Sequence, residues 1–361
     1  MSPGIVLFGF LVSATAVVAA GVALARNADV VAARTRLGGL WVGSVFLAFA
    51  TSLPELITDI TAVRLGAPDL AAGDLFGSNM ANMLILAVLS LYPGAGIFHR
   101  AALDNGVAAA LAITLTAMAG FFVVFRFPVT IGGIGPGSIV LAVTYLGGTR
   151  AVFRTSVVAR LAGKVEELGG DAAVPATEIP AGGPYAPPPP GARASEAFQR
   201  EPSLRRATAW FLGGAVMILL AAPLFAASAR ELAEVSGVSA TFLGTALVGL
   251  STSLPELVTS MAAVRIGAYD LAVGNLFGSN ALNMAMFAPL DLVQSGPPIF
   301  GAVAPDHALS ALVGVTLMAL GLASILYRAK GRRTRVEARS AIMLAVYVLG
   351  LAALYVHAQA G

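Results

Sequence analysis

Apolar residues run along this chain in stretches longer than a soluble core uses. Such stretches fall near residues 4–25, 38–63, 69–92, 102–125 and 129–149, and again near 208–229, 240–264, 270–293, 306–327 and 340–357. About 20 mostly apolar residues is the length of a helix that crosses a bilayer. The pattern predicts an all-α, polytopic membrane fold of ten transmembrane helices, five on each side of a polar gap. That gap, residues 150–206, holds charges of both signs and the run Pro187-Pro188-Pro189-Pro190. Its centre has too little apolar surface to offset the entropy lost on folding. It is expected to be a flexible linker between a first half, 1–149, and a second half, 207–361. Its apolar edges, 151–163 and 203–206, are expected to extend the flanking helices as short amphipathic segments.

Composition agrees with the pattern. Of 361 residues 57% are hydrophobic and 11% charged, against about 25% charged in a soluble domain, so there is no surface to show to water. The absence of cysteine excludes disulfides, thiolate metal sites and thiol catalysis. Ala23-Leu24-Ala25 resembles a signal-peptidase site, but no Lys or Arg precedes the first stretch, and its length is that of a span. It is read as a retained helix.

Charge sets the orientation. With the N-terminus outside, the connections on the inner side hold 19 of the 22 basic residues and those on the outer side only Arg64, Arg126 and Arg230. The positive-inside rule therefore puts both termini outside and the linker in the cytoplasm. Five spans per half is an odd number, so the second half must enter the membrane upside down relative to the first.

The halves share a sequence. Offset by 201 residues, Thr51 to Met83 aligns with Thr252 to Met284 without a gap, and 23 of 33 positions are identical. Many of the shared residues are Thr, Ser, Pro, Glu, Gly and Asn, so common greasiness does not explain the match. Each copy covers the end of one span, a turn and the start of the next. Inverted repeats with broken helices that meet at mid-bilayer are a construction of secondary transporters.

Glu55 and Glu256 stand inside these apolar spans. A charged side chain there costs about 2.5–3.5 kcal/mol on insertion scales, which makes an intramembrane acid a functional candidate by default. Thr51, Ser52 and Glu55 fall on one helix stripe by their i,i+3 and i,i+4 spacing. Pro54 cannot donate a backbone hydrogen bond and frees the carbonyl of Ala50; Pro255 does the same for Ser251. On the next span Gly73 and Gly77 permit close approach, and Ser78 and Asn82, again i,i+4, face one way. Two such copies supply roughly 6–8 hard oxygens and two negative charges, the set that calcium takes, with no nitrogen or sulfur donor. Taken singly, Thr51, Ser52 and Ser78 also fit a plain structural role, bonding to the preceding turn. Arg64 and Arg265 read as interfacial anchors, and His99, His307 and His357 receive no role.

At TSLPE and GSNxxN the chain resembles the cation/calcium exchanger superfamily, in its sodium/calcium exchanger branch; the GN-x-x-E pattern of the proton-coupled branch is missing. The resemblance implies ten helices with two inverted repeats, and alternating access by sliding of the first and sixth helices over a fixed core. It implies ion ligands at Thr51, Ser52, Glu55, Ser78 and Asn82, and at Thr252, Ser253, Glu256, Ser279 and Asn283. Calcium and sodium are the implied cargo, in a prokaryotic inner membrane, with lipid as the surrounding partner, a monomer as the working unit, and no cofactor or nucleic acid. The chain departs from the family in two ways. Prokaryotic relatives carry aspartate where this chain has Asn283, and Asp74 replaces a usual asparagine. With Asn82 and Asn283 both neutral, either fewer sodium ions exchange per calcium or Asp74 is recruited as a third acid. The linker has no acidic cluster of the calcium-sensing kind.

Asp59 and Asp74 break the repeat, since their counterparts are Ser260 and Asn275. Each lies one turn, ~6 Å, to the outer side of the core. They are expected either to form an acidic outer funnel that concentrates cations, or to serve structure, Asp59 bonding a neighbouring turn and Asp74 capping the third span. A sodium-coupled calcium antiporter leads the readings. A proton-coupled or other divalent-cation antiporter on the same scaffold, a passive channel and a membrane enzyme are the alternatives; no Ser/His/Asp set or metal-ligating His cluster favours the last.

Overall fold

The computed structural model describes residues 3–35, 39–92, 96–168, 203–235, 252–327 and 333–360. Among these the chain is helical throughout, apart from turns and one isolated bridge between Ile131 and Ile134. The long helices are α1 (Pro3–Thr35), α2 (Gly39–Arg64), α3 (Pro68–Leu91), α4 (Asn105–Val124), α5 (Pro136–Leu168), α6 (Leu204–Val235), α7 (Leu254–Arg265), α8 (Tyr269–Ala285), α9 (His307–Leu326) and α10 (Arg333–Ala360). Seven of the described helices, all but α5, α7 and α8, contain a segment long and apolar enough to cross a membrane.

Several boundaries differ from the sequence reading, each for a local reason. The first helix does not stop near residue 25 but continues through Arg26 and Asp29 to Thr35. At ~1.5 Å per residue its 33 residues span about 50 Å, more than the hydrocarbon core. The fifth stretch becomes helical at Pro136 and not at 129, because Gly132 and Gly133 adopt positive φ (61° and 85°) in the tight turn before it. The eighth is interrupted at Met286 and resumes as Phe287–Val293. Pro289 lacks the N–H that would bond the carbonyl of Ala285, so the helix cannot pass Ala285 unbroken. The edges of the polar gap are helical as far as Leu168 and from Leu204 onward. The centre of the expected linker, 169–202, and residues 236–251, which take in the first part of the seventh stretch, lie outside the described residues.

Lipid-facing and core helices separate by burial. On the outer helices large apolar side chains stand exposed, such as Phe8 on α1, Leu220 on α6 and Leu349 on α10. By contrast, every residue of α8 from Leu271 to Met284 is buried. A helix covered on all sides belongs at the centre of its bundle. It is packed by α2, α3, α4 and α7, while α1 lies along α6 over a longer stretch than any other helix pair shares.

Glycine makes the contact between α2 and α8 possible. A Cβ at Gly43 would fall 2.6 Å from the carbonyl oxygen of Leu271, and one at Gly274 would fall 2.8 Å from that of Leu40. A Cβ at Gly278 would collide with the backbone of Ser44. The two backbones therefore touch. Along this contact α2 winds as a π-helix over Val42–Leu47 before returning to α-helix at Ala48, a local rewinding that is common at functional sites.

Two aspartates fasten the repeats end to end in a matched way. Asp69 Oδ1 accepts hydrogen bonds from the Ala304 amide at 2.6 Å and His307 Nε2 at 3.1 Å. Asp270, its counterpart 201 residues on, accepts from the Ala102 amide at 2.6 Å and Asn105 Nδ2 at 2.7 Å. Each half ties the start of its own third helix to the fourth helix of the other. His307, which carries no role in the sequence reading, is thus half of a structural clasp.

Candidate functional site

The glutamates of the two repeats sit in unlike backbone settings. Glu55 follows Pro54 within the unbroken helical stretch Ala48–Arg64. Glu256 stands in the first turn of α7, because helical geometry is interrupted at Ser253 (φ −83°, ψ 6°) and restarts at Leu254. There the unpaired N–H groups and positive end of the helix dipole favour a carboxylate. Both side chains are buried, Glu55 at 1% exposure and Glu256 at 0%.

Contacts cross between the repeats at every level of the site. Ser52 Oγ donates to Glu256 Oε1 at 3.1 Å, and Ser279 Oγ reaches the same oxygen at 3.4 Å. Thr252 Oγ1 donates to Asp74 Oδ1 at 3.1 Å and lies 3.4 Å from Ser78 Oγ. Thr51 Oγ1 lies 3.4 Å from Asn275 Oδ1, and also 3.1 Å and 3.2 Å from the carbonyls of Leu47 and Ala48. That gives one hydroxyl proton three acceptors. The Thr51–Asn275 and Thr252–Asp74 contacts are images of each other under the 201-residue offset, so the two copies touch reciprocally here.

Next to these lies an amide lattice that the sequence reading missed. Asn79 Nδ2 donates to the carbonyl of Asn280 at 3.3 Å, and Asn280 Nδ2 donates to the carbonyl of Asn79 at 3.2 Å. Asn82 Nδ2 then donates to Asn280 Oδ1 at 2.9 Å, and Asn283 Nδ2 donates to Asn79 Oδ1 at 3.2 Å. Each amide nitrogen donates to the opposite repeat, and that of Asn79 also donates to Thr116 Oγ1 of its own half at 3.1 Å. The Oδ1 atoms of Asn82 and Asn283 are left buried with no hydrogen-bond partner among the described residues. Asn79 and Asn280 therefore fix which end of the neighbouring amides faces inward. The signal was present in GSNxxN, where the two asparagines at i,i+3 share a helix face.

The remaining acceptors follow the same rule. Both carboxylate oxygens of Glu55, which the hydroxyls of Ser52 and Ser78 approach, Oε2 of Glu256 and Oγ of Ser253 are buried without a hydrogen bond of good geometry among the described residues. A turn away, the carboxylates of Asp59 and Asp74 lie against each other, with both oxygens of Asp59 and Oδ2 of Asp74 accepting from no hydroxyl or amide among the described residues. An unsatisfied buried acceptor costs ~1–3 kcal/mol, more when charged. A group of them in one place is a polar interior shaped for something that supplies positive charge. The donor atoms are all oxygen, from carboxylate, hydroxyl and amide, which suits a hard cation. Among the described residues no three acidic or imidazole groups converge closely enough to hold a metal ion by themselves, so neutral oxygens must form much of any shell.

All ten residues singled out at TSLPE and GSNxxN lie buried in this one region. Asp59 and Asp74 differ from both expectations for them. They are 1% and 7% exposed, so neither lines an open funnel. Asp59 lies against the carboxylate of Asp74 and takes no bond from a hydroxyl or amide among the described residues, and Asp74 lies inside α3, whose N-cap is Ala67. The carbonyl of Ser251, expected to be freed by Pro255, lies outside the described residues.

Comparison with known proteins agrees with this architecture. In curated sequences the chain is similar to inner membrane protein YrbG of Escherichia coli (strain K12), 26% identical over 291 residues, 76% of each chain. It is also similar to the putative antiporter CaxA of Alkalimonas amylolytica, 25% identical over 317 residues, covering 86% of this chain and 87% of that one. Sodium/calcium exchanger MaX1 of Methanosarcina acetivorans is 37% identical over 84 residues, 21% of this chain and 24% of that one. Among solved structures, the sodium-calcium exchanger NCX_Mj superposes with a TM-score of 0.65 at 19% identity, over 97% of this chain and 98% of that one. That likeness establishes a shared fold. The family described as sodium/calcium exchanger protein matches residues 5–152 and 206–356, which is most of the sequence. With its apolar helices and paired repeats, this multi-pass membrane protein belongs to the sodium/calcium exchanger family.

Proposed function

We propose that the chain is a secondary active antiporter that exchanges calcium for sodium across the membrane by alternating access. The observation that carries this reading is the buried oxygen-lined centre between Glu55 and Glu256, where Ser52 of one repeat bonds the glutamate of the other. Two carboxylates balance one calcium, and the hydroxyl and amide oxygens around them supply hard ligands in the number calcium needs. Thr51, Ser52, Glu55, Ser78 and Asn82 act with Thr252, Ser253, Glu256, Ser279 and Asn283 as the ligand set. Ten spans in two inverted five-helix halves, 1–149 and 207–361, carry the site, with both termini outside and the 150–206 linker in the cytoplasm. The long α1–α6 pairing supports a pair that moves as one body over the fixed centre.

Flux into proteoliposomes under imposed gradients tests the reading. An outward sodium gradient is expected to drive calcium uptake, and a proton gradient of equal size is not. Uptake driven by protons alone would favour a proton-coupled or other divalent-cation antiporter on the same scaffold. Uptake without any counterion would indicate a channel.

The amide lattice yields a second expectation. Asn280→Ala removes the acceptor that holds Asn82 Nδ2 and should raise the half-saturation for calcium about tenfold, the effect of losing roughly 1–1.5 kcal/mol of positioning. Asn280→Asp keeps an acceptor there and should do less harm. Equal effects of the two on half-saturation would mean that orientation of Asn82 is not what Asn280 supplies.

A further inference from the structure

The repeat contains its own control for Asp59 and Asp74. At the matching positions of the second half, Asn275 Nδ2 donates to Ser260 Oγ and to Thr259 Oγ1, both at 3.1 Å. Thr259 in turn donates to the carbonyl of Pro255 at 2.7 Å, and Ser260 reaches the carbonyl of Ala272 at 3.5 Å. That side is closed, neutral and hydrogen-bonded throughout. In the first half the same scaffold positions carry two neighbouring carboxylates. Thr58, the counterpart of Thr259, spends its proton on the carbonyl of Pro54 at 2.9 Å. The only donor to the pair among the described residues is Thr252, which bonds Asp74 Oδ1. Three of the four carboxylate oxygens accept from no hydroxyl or amide there, although both residues are buried, and the two carboxylates lie against each other with Glu55 as a neighbour, so something positive must stand between them.

From this asymmetry we infer that Asp59 and Asp74 form a second cation site, distinct from the centre between Glu55 and Glu256 and present in the first repeat only. Its occupant is a hard monovalent cation of the sodium class. Every available donor is oxygen, which excludes soft metals. Two carboxylates and one hydroxyl fall short of the six to eight oxygens calcium takes, so the number of ligands, and not the charge, sets this pair apart from the centre. In low dielectric, adjacent carboxylates repel strongly, and a cation between them removes that repulsion where the second half uses an amide. Thr252 joins the two sites, since it touches both Asp74 and Ser78. With Asn82 and Asn283 neutral, this pair supplies the acidic groups that sodium coupling would otherwise lack at the centre.

The inference rests on the antiporter reading for its physiological meaning, but the test separates the two. In purified protein, equilibrium binding of radioactive sodium and calcium is measured for the wild type and for the double variant Asp59→Ser, Asp74→Asn. That variant installs the neutral pair the second repeat already folds around. The expected result is loss of one bound sodium per chain, with half-saturation for calcium changed less than about threefold. Unchanged sodium stoichiometry would overturn the site. Joint loss of calcium binding would also overturn it, placing the acids in the central shell, and so would loss of a calcium equivalent with sodium intact. Should the double variant fail to fold, Asp59→Asn and Asp74→Asn singly are each expected to weaken sodium binding at least tenfold at this one equivalent; no weakening in either would refute the site. Failure of the wild type to bind calcium would defeat the proposed function, while the sodium comparison would still decide this site.

Discussion

Glu55→Gln and Glu256→Gln are each expected to abolish calcium exchange, by at least 100-fold, while folded protein still reaches the membrane. Glutamine keeps the volume and one oxygen, so packing against the surrounding helices survives. What it removes is one of the two charges available to neutralise a divalent ion stripped of water. Stabilisation of that size cannot be replaced at low dielectric by a neutral carbonyl. The two variants should differ in one respect. Glu256 Oε1 accepts from Ser52 and Ser279, and a glutamine there can present its amide oxygen to both, so some thermal stability in detergent depends on its orientation. At Glu55 the hydroxyls of Ser52 and Ser78 approach without closing a bond of good geometry, and its neutralisation should leave the melting temperature equal to or above that of the wild type. Counterflow in vesicles and melting of purified protein check both parts. Near wild-type exchange in either variant would show that the centre lies elsewhere.

The second large effect concerns packing. Gly278→Leu is expected to prevent α2 and α8 from meeting, because its Cβ would enter the backbone of Ser44 and not a movable side chain. Overpacking a core costs typically ~1–3 kcal/mol where neighbours can shift. Here a backbone would have to shift, so the loss should exceed that range and leave little monodisperse protein on size-exclusion chromatography. Leu220→Ala, on the exposed face of α6, serves as the comparison and should elute as the wild type does. A well-folded Gly278→Leu protein would mean that the close approach is dispensable.

Much of this architecture was legible in the chain, and the illegible parts share a cause. Span positions follow from apolar length, and the acids stand out because burying them is costly. The 201-residue offset ties the two clusters together before any geometry is known. What one-dimensional reading could not supply is which atoms are already satisfied. Asn79 looks as polar as Asn82, yet both ends of its amide are bonded and its oxygen aims Asn283, while the oxygen of Asn82 accepts nothing among the described residues. For Asp59 and Asp74, a turn away from the centre, the chain leaves both an outer funnel and a plain structural role open, and only the packing shows that neighbouring helices cover them. Pro289 shows the opposite case: the signal for a broken helix was in the chain, but the apolar run around it was long enough to hide it.

The reciprocal pairing of Asn79 with Asn280 has a historical consequence. A lattice that looks the same from either half is what two identical chains would build around a twofold axis, each lending the other its amides. Once both copies are fused into one polypeptide, the bonds remain mutual but the residues are free to drift separately. They cannot drift far. A change at Asn79 strands the amide nitrogen of Asn283 and takes the donor from the Asn280 carbonyl, so either copy can alter this element only if the other alters with it. Asp59 and Asp74 lie outside the lattice, and there the copies have diverged. The asparagines thus mark where the two halves are still bound by common descent, and the aspartates mark where one of them was released to acquire a character of its own.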